Sequence, residues 1–383
     1  MQPWNGDAFV SIPLKTNTSS NFCTFEYIYE SNEIRVARLT AESFLALVGV
    51  LFNVAICVIN LKHSNINVSI RLYIRNMALA DIGVLLLGFP FAVAKEQQGT
   101  YQWVLGNIAC KYIYPFTDAF YAVSTWTLVV IAIHRYRIIK PKSWRRRKQS
   151  RAVRVLVVLW ITALIIISLP ILLASHYSKT CGKNYCFIRW PSSSPTNTIP
   201  AKVHSFSLIF LLFIFPVGVV VWSYFKVSVK LRRGNCAKKG GVRHRRLQSD
   251  SDNTNPIVFS EQDEVRHNEC AEAKRFLTPL VILFVISTIP LNILRVAFIL
   301  TSTKTSLEQY LVLFNLSIML SVCNSVVRPF IYYLVSQDVR IGCKKLVEKL
   351  KEGFRRGWGE QHDEMIPLQE IRQSRTDYKE TIL

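Results

Sequence analysis

Residues 152–174 read AVRVLVVLWITALIIISLPILLA, a run whose only charged residue is Arg154. An α-helix needs about 20 mostly apolar residues to cross the hydrocarbon core of a bilayer. This run is long enough and apolar enough to do so, and it therefore predicts a membrane-spanning helix. In the whole chain 50% of the residues are hydrophobic, and most of them fall in runs of this kind.

Six other runs have the same character, which gives seven predicted spans along the chain. They cover, approximately, residues 43–61, 74–94, 115–133, 152–174, 205–222, 276–300 and 309–335. One such run would also suit a buried helix of a soluble protein, but seven in order with short polar connections do not. We therefore expect an all-α membrane protein, a seven-transmembrane helix bundle followed by a short amphipathic helix.

The net charge of +22, from 47 Lys and Arg against 25 Asp and Glu, is unevenly distributed. Residues 135–154 are rich in Lys and Arg and contain no acid, and residues 226–246 and 340–356 repeat this bias. A basic protein can bind nucleic acid, but here the charge lies in alternate connections between spans. Because positive loops stay in the cytoplasm, we expect a multi-pass plasma-membrane protein with an extracellular N-terminus and no nucleic-acid partner.

The spans divide the chain into three regions. Residues 1–39 form an extracellular tail, residues 40–335 the seven-helix domain, and residues 336–383 an amphipathic helix and a cytoplasmic tail. The third inner loop takes about residues 231–273. Residues 336–350 combine apolar side chains with Lys and Arg, which is typical of a helix lying on anionic membrane lipids.

Short motifs outside the spans predict modification and binding sites. Asn17 begins an Asn-Thr-Ser triplet, a glycosylation acceptor, in the extracellular tail. Cys343 lies in the amphipathic helix and is a candidate for palmitoylation; an ordinary free thiol is the alternative. The last four residues, which include Thr381 and Leu383, match the pattern that PDZ domains bind by adding a strand to a sheet edge.

The nine cysteines divide by predicted topology. Four lie on the extracellular side, where disulfides persist: Cys23, Cys110, Cys181 and Cys186. Four cysteines allow three pairings, and the residues by themselves leave the choice open.

Polar and charged residues recur inside the spans. They are Asn53, Asp81, Ser124, Asn324, Ser325 and Arg328. Such groups are costly in lipid and usually face the interior of a bundle, so we expect an internal polar site. Pro170, Pro216, Pro290 and Pro329 each interrupt a helix hydrogen-bond ladder, which predicts kinks.

Motifs with constant spacing run through all seven spans. They are Gly49…Asn53; Asn76-Met-Ala-Leu-Ala-Asp81; Trp103-Val-Leu-Gly106 with Cys110; Ser124…His134-Arg135-Tyr136; Trp160…Pro170; Pro216…Tyr224; Phe284…Pro290; and Asn324-Ser…Arg328-Pro-Phe-Ile-Tyr332. In these motifs the chain resembles the rhodopsin-like (class A) G-protein-coupled receptors over about residues 44–343, and most of all their peptide-receptor branch.

The resemblance implies a set of partners and a coupling machinery. The partners are a heterotrimeric G protein, an extracellular peptide (a neuropeptide) and membrane lipids, with arrestin and a PDZ-domain protein as further candidates. The coupling and activation residues are His134, Arg135, Tyr136, Tyr224, Pro290, Pro329 and Tyr332. In the family the Arg at position 135 contacts the G protein when the sixth span swings outward. A cation at the inner end of a helix agrees with this role.

The resemblance also implies a disulfide from Cys110 to the second outer loop. Cys186 is the expected partner because it precedes a Trp-Pro pair. Cys181 is then left for Cys23, which would tie the extracellular tail to the same loop.

Three positions depart from the family pattern. His134 stands where the family has an acid that holds the Arg in the resting state, so we expect a weaker resting lock and raised basal activity. Thr288 stands where a Trp is common, while the Pro290 kink remains. Arg328 replaces an Asn or Asp beside a sodium site, and we expect an Asp81–Arg328 ion pair in place of the ion. The alternative is that Arg328 extends to the inner surface.

Six residues facing the outer half of the bundle are candidates for ligand binding: Lys95, Thr117, Asp118, Tyr121, Asn292 and Arg295. Aminergic receptors carry an acid where this chain has Thr117, and Asp118 comes one residue later, so a simple amine is not the first choice of ligand. The seventh span has no lysine for a retinal Schiff base. Arg295 could pair with a carboxylate or an amidated peptide end, or extend to the membrane interface. We favour a peptide; a lipid or small organic acid is the alternative.

Other membrane functions fit less well. The chain has no internal repeat of the kind found in transporters, and its span histidines lack the spacing of a metalloenzyme site. We expect no enzymatic activity, metal site or cofactor. The remaining rival is a non-signalling seven-helix receptor, a decoy or scaffold, because three activation motifs are altered.

Overall fold

The structure is a computed structural model that describes residues 32–59, 68–90, 103–138, 149–180, 183–190, 199–232, 261–300, 307–337, 339–349 and 351–353. Seven long helices occupy the seven predicted spans, which confirms the all-α bundle. They are Asn32–Val58; Val68–Gly83 with the π-helical turn Val84–Gly88; Gly106–Ile108, Ala109–Ile113 and Tyr114–Ile138; Gln149–Ala163, Leu164–Ser168 and Leu169–Ala174; Ile199–Ile209, Phe210–Ile214 and Phe215–Arg232; Glu261–Leu300; and Leu307–Val335. Below they are called the first to the seventh helix.

Five stretches of the described chain are long and apolar enough to cross a membrane, by length and composition: Val36–Val58, Gly106–Arg137, Arg151–Ala174, Lys202–Leu231 and Ala273–Leu294. In the seventh helix Val322–Val335 is a shorter apolar stretch. The second helix carries Arg71, Arg75 and Asp81, and these charges lower its hydropathy.

The third helix lies at the centre of the bundle. In an apolar window of 18 residues within this helix 61% of the residues are buried, against 28% in the fourth helix and 22% in the first and fifth. The outward side of the fourth helix exposes Val158, Ile165 and Leu173. Soluble monomers rarely expose an apolar surface this extensive. It fits helices whose outer faces contact lipid.

Four helices contain a π-helical turn that ends two residues before a proline. The turns Val84–Gly88, Ala109–Ile113, Leu164–Ser168 and Phe210–Ile214 precede Pro90, Pro115, Pro170 and Pro216, in that order. Proline lacks an N–H, and its ring clashes with the carbonyl four residues earlier. In each case that carbonyl lies within the wider π turn, so the turn accommodates the proline without ending the helix. Pro290 and Pro329 lie within continuous α-helices.

All seven helices begin before the apolar runs that predict them, and the first and the sixth do so by more than ten residues. The first helix starts at Asn32, within the region assigned to the extracellular tail, with Glu33 in its first turn. An acid there interacts favourably with the helix dipole. The sixth helix starts at Glu261, within the loop predicted over 231–273. Its early residues are rich in Glu, Gln, Ala and Lys, which are strong helix formers, so the helix extends beyond its apolar part.

An antiparallel hairpin, not predicted from the sequence, follows the fourth helix. Strand β1 (Ser175–Thr180) pairs with strand β2 (Lys183–Ile188), and Tyr177 lies opposite Cys186. The polar sequence of β1 lacks the alternation that marks a strand. The end of the bundle that carries this hairpin and Cys110 is called the hairpin end below, and the opposite end, with Arg135, the Arg135 end.

The predicted amphipathic helix is present at residues 339–349. Val339 is fully buried and Leu346 packs against the main core, while Lys344 and Lys345 are exposed. Gly342 lies so close to Ile59 that an added Cβ would collide with that side chain. The helix is thereby fixed against the end of the first helix.

Candidate functional site

Asp81 of the second helix and Arg328 of the seventh form a buried ion pair. Nη1 of Arg328 lies 2.8 Å from Oδ1 and 3.1 Å from Oδ2 of Asp81. The two side chains are 3% and 1% exposed. Either charge alone would be strongly disfavoured inside the bundle, so each stabilises the other. The ion pair expected from the sequence is confirmed, and the alternative of an Arg328 that reaches the surface is wrong.

Two serines complete the internal polar site. Ser124 of the third helix donates to Asp81 Oδ1 at 2.7 Å and accepts a hydrogen bond from Arg328. Ser325 donates to the same carboxylate oxygen at 3.0 Å. The guanidinium therefore bonds to oxygen atoms of both Asp81 and Ser124. Three helices meet at this site through charge-assisted hydrogen bonds.

The two asparagines of the predicted site lie beside this cluster. Asn53 is buried and donates from Nδ2 to the carbonyls of Gly49 (2.8 Å) and Ser325 (3.0 Å). It thus links the first helix to the seventh. Asn324 is also buried, but its Oδ1 has no hydrogen-bond partner among the described residues.

A second polar network lies nearby. Trp160 Nε1 donates to Asn76 Oδ1, and Asn76 Nδ2 donates to Thr127 Oγ1, both at 2.9 Å. Thr127 in turn donates to the carbonyl of Val123 at 2.6 Å. Asn76 and Trp160 belong to the sequence motifs, but the motifs do not predict this network. The spacing of Thr127, one turn after Ser124 on the same face of the third helix, was the available signal.

At the Arg135 end, three side chains from different helices stack. The Arg135 guanidinium is buried and lies 4.7 Å from the centre of the Phe276 ring, within the range of a cation–π contact. The Phe276 ring is nearly parallel to that of Tyr332, at 5.7 Å. The Tyr332 hydroxyl donates to Met77 Sδ at 3.3 Å. The third, sixth, seventh and second helices are therefore joined in one chain of contacts.

The neighbours of Arg135 also pack in the bundle. His134 meets the ring of Tyr73 edge-on at 5.6 Å. Tyr136 contacts Trp222 of the fifth helix at 5.1 Å. Tyr224, also predicted to support activation, is partly buried against the main core. The structure thus places these side chains, with Arg135 and Tyr332, at one end of the bundle, whereas Pro290 lies farther along the sixth helix.

In the sixth helix, the position that departs from the family pattern is completely buried. Thr288 Oγ1 donates to the carbonyl of Phe284 at 2.5 Å, and Asn292 Nδ2 donates to the carbonyl of Thr288 at 2.8 Å. Both side chains bond to their own helix just before and after Pro290. Such bonds supply local partners to a helix that proline interrupts.

The hairpin end is held by a disulfide. Cys110 and Cys186 are joined with an S–S distance of 2.05 Å and a Cα–Cα distance of 5.6 Å, which confirms this pairing. The backbone N–H of Trp103 donates to the Asn184 carbonyl at 2.8 Å. The Trp103 indole donates to the Gly106 carbonyl at 2.6 Å, across a turn in which Gly106 has φ +79°. Glycine adopts this conformation without strain.

The candidate ligand-binding residues are only partly described. Thr117 is buried and donates to the carbonyl of Tyr114 at 2.8 Å, so its hydroxyl is bonded to its own helix. Asp118 and Tyr121 are partly buried in the same helix, and Asn292 is buried in the sixth. The side chain of Arg295 lies outside the part of the chain that the structure describes. Their role as a binding site stays a prediction.

Several predicted sites fall outside the described residues. They are Asn17, Cys23, Lys95, Cys181, Thr381 and Leu383. Cys343 is described and is half-buried in the amphipathic helix, and burial raises the pKa of its thiol. Palmitoylation of Cys343 stays a prediction.

Comparison with known proteins identifies the family. The model of the 7 transmembrane receptor (rhodopsin family) matches residues 52–332, well over half of the chain. The neuropeptide Y receptor type 2 of Sus scrofa is 23% identical over 314 residues, covering 80% of this chain and 75% of the relative. The neuropeptide Y receptor type 6 of Oryctolagus cuniculus is 26% identical over 301 residues, covering 74% of each chain. The family is one of non-enzymatic, multi-pass receptors of the plasma membrane, and this chain belongs to it: it is a seven-transmembrane receptor of the rhodopsin family.

Proposed function

We propose that the chain is a peptide receptor that activates a heterotrimeric G protein. Two kinds of support exist for a peptide ligand: the sequence resembles the peptide-receptor branch, and the relatives just described are named for neuropeptide Y. The basic connections support an orientation with the N-terminus outside. The hairpin end then faces the extracellular ligand, and the Arg135 end faces the cytoplasm.

The stack of Arg135 on Phe276 carries the proposal of G-protein coupling. It places the cation of the third helix directly against the sixth helix, and Tyr332 continues the contact to the seventh. An outward movement of the sixth helix would remove Phe276 from Arg135. The guanidinium, now buried, would then be exposed to a G-protein surface.

A non-signalling receptor is the second candidate function, and the Asp81–Arg328 pair favours it. The pair joins the second and seventh helices, with Ser124 of the third bonded to both charges. If the helices must separate at this point during activation, the pair opposes the change. A signalling receptor must open at the Arg135 end despite the Asp81–Arg328 pair. In a non-signalling receptor the pair keeps the helices together and that end stays closed.

Measurement of G-protein activation by the unliganded receptor separates the two. Wild type and Arg135→Ala would be compared in cells at equal surface expression. Because His134 cannot supply the acid that restrains Arg135 in the family, we expect basal signalling in wild type and its loss in the variant. Activity that is equal in both proteins would refute coupling through Arg135. If wild type is silent, the same comparison is made with neuropeptides, and silence there favours the decoy or scaffold.

The ligand side of the proposal rests on the residues of the outer half. We place the peptide against Lys95, Thr117, Asp118, Tyr121, Asn292 and Arg295. Arg295 would pair with a carboxylate or with the amidated end of the peptide. Arg295→Gln should therefore weaken a peptide agonist that has a free C-terminal carboxylate more than the same peptide after amidation. If the ligand is instead a lipid or a small organic acid, that compound alone should activate the receptor in the absence of any peptide.

A further inference from the structure

A groove of about 630 Å³ lies between the third and fifth helices, near the Arg135 end of the bundle. Its walls are mostly aromatic and aliphatic. The residues that line it include Ile133, Tyr136, Arg137, Phe215, Gly218 and Trp222. Phe215 and Trp222 are exposed on the outward surface of the bundle, which in this family faces lipid. The groove therefore opens to the membrane rather than to the interior of the bundle.

Two features of the fifth helix create the groove. The π-helical turn Phe210–Ile214 lies along it, and π turns are frequent at functional sites. Gly218 follows one turn later, and a Cβ added there would meet no atom within 4 Å. The missing side chain thus leaves open space between Phe215 and Trp222 that a narrow apolar chain can fill.

The groove has a charged end. Arg137 is exposed at the last turn of the third helix and forms no ion pair with any described residue. The rest of the lining is apolar apart from the phenol of Tyr136 and the indole N–H of Trp222. An apolar channel that ends at one cation is complementary to an amphiphile with an apolar tail and an anionic head.

We propose that this groove binds an anionic glycerophospholipid, with an acyl chain along Phe215, Gly218 and Trp222 and the phosphate at Arg137. In the orientation proposed above, Arg137 lies at the cytoplasmic leaflet, where anionic phospholipids are concentrated. The lipid would contact Tyr136, whose ring packs on Trp222, beside Arg135. Lipid binding needs no G protein, so this proposal can fail while the proposed function stands.

Photo-crosslinking of the full-length receptor in nanodiscs tests the proposal. The probe is phosphatidylserine with a diazirine in one acyl chain, compared with phosphatidylcholine carrying the same chain. We expect phosphatidylserine to label peptides containing residues 133–137 and 210–222 about fivefold more, because one basic side chain provides roughly that preference. Equal labelling by both lipids would overturn the proposal.

Two variants, each with a matched control, locate the two parts of the lipid. Gly218→Leu fills the open space and should reduce labelling by both probes severalfold, whereas Gly88→Leu adds the same side chain at another open position. Arg137→Gln should reduce phosphatidylserine labelling to the phosphatidylcholine level, whereas Arg151→Gln removes an exposed charge elsewhere. Thermal unfolding would verify that all four variants are folded. Unchanged labelling in Gly218→Leu, or equal losses in variant and control, would contradict the site.

Discussion

Nη1 of Arg328 lies 2.8 Å from Oδ1 of Asp81 in the interior of the bundle. The carboxylate also accepts hydrogen bonds from Ser124 and Ser325. A buried charge is tolerated when its partner and its remaining hydrogen bonds are all in place. The pair is therefore a single unit whose halves depend on each other.

Removal of one half should destabilise the receptor strongly. Arg328→Met leaves the Asp81 carboxylate without its cation, and we expect a loss of about 3–5 kcal/mol in the free energy of unfolding. The double variant Asp81→Leu, Arg328→Met removes both charges and should recover most of this loss. Thermal unfolding of the purified receptor in detergent measures both effects. Arg75→Met is the control, because Arg75 lies exposed on the second helix. Additive losses in the double variant would show that the two side chains are not coupled.

The same pair predicts how the receptor responds to sodium. In wild type the guanidinium already bonds to Asp81 and Ser124, so unfolding should be the same in sodium chloride and choline chloride. Arg328→Asn restores an uncharged oxygen ligand beside the carboxylate, and sodium should then stabilise the variant. At a sodium concentration ten times the dissociation constant, the free energy of unfolding of the variant should rise by about 1.4 kcal/mol. A sodium-dependent melting temperature in wild type would contradict this prediction.

Hydropathy and charge predicted the bundle because both are local properties of the chain. Seven apolar runs must become helices in lipid, since every backbone group needs an internal partner there. The Asp81–Arg328 pair was predictable for a similar reason: two opposite charges inside a bundle have few other partners. The disulfide followed from the family resemblance, and the structure bears it out.

Features that depend on packing were not predictable. The hairpin has a polar first strand, and its place is set by the disulfide of Cys186 and by the bond from Trp103 to Asn184. The π turns were missed because a proline predicts a break in the ladder but not how the helix accommodates it. The sixth helix starts early, at Glu261, because its first residues have high helix propensity. A search for apolar runs does not detect helix propensity.

The network of Asn76, Thr127 and Trp160 should make a measurable contribution to stability. Trp160→Phe keeps an aromatic ring but removes the N–H that donates to Asn76 Oδ1. A buried acceptor left without its donor costs about 1–3 kcal/mol. Trp222→Phe makes the same change at an exposed position, and it should alter the free energy of unfolding by at most about 0.5 kcal/mol. Denaturation of both variants in detergent provides the comparison, and equal losses would argue against the network.

His134→Asp should lower the basal activity of the receptor. The substitution places a carboxylate next to the buried Arg135 guanidinium, where it adds to the contact that Phe276 already makes. Stabilisation of the resting state by about 1 kcal/mol would reduce the active fraction about fivefold. His134→Asn, which has the size of Asp without its charge, is the matched control and should leave basal activity close to that of wild type. G-protein activation without ligand, at equal surface expression, is the measurement. If both variants lower activity equally, the loss comes from the contact of His134 with Tyr73 and not from a missing acid.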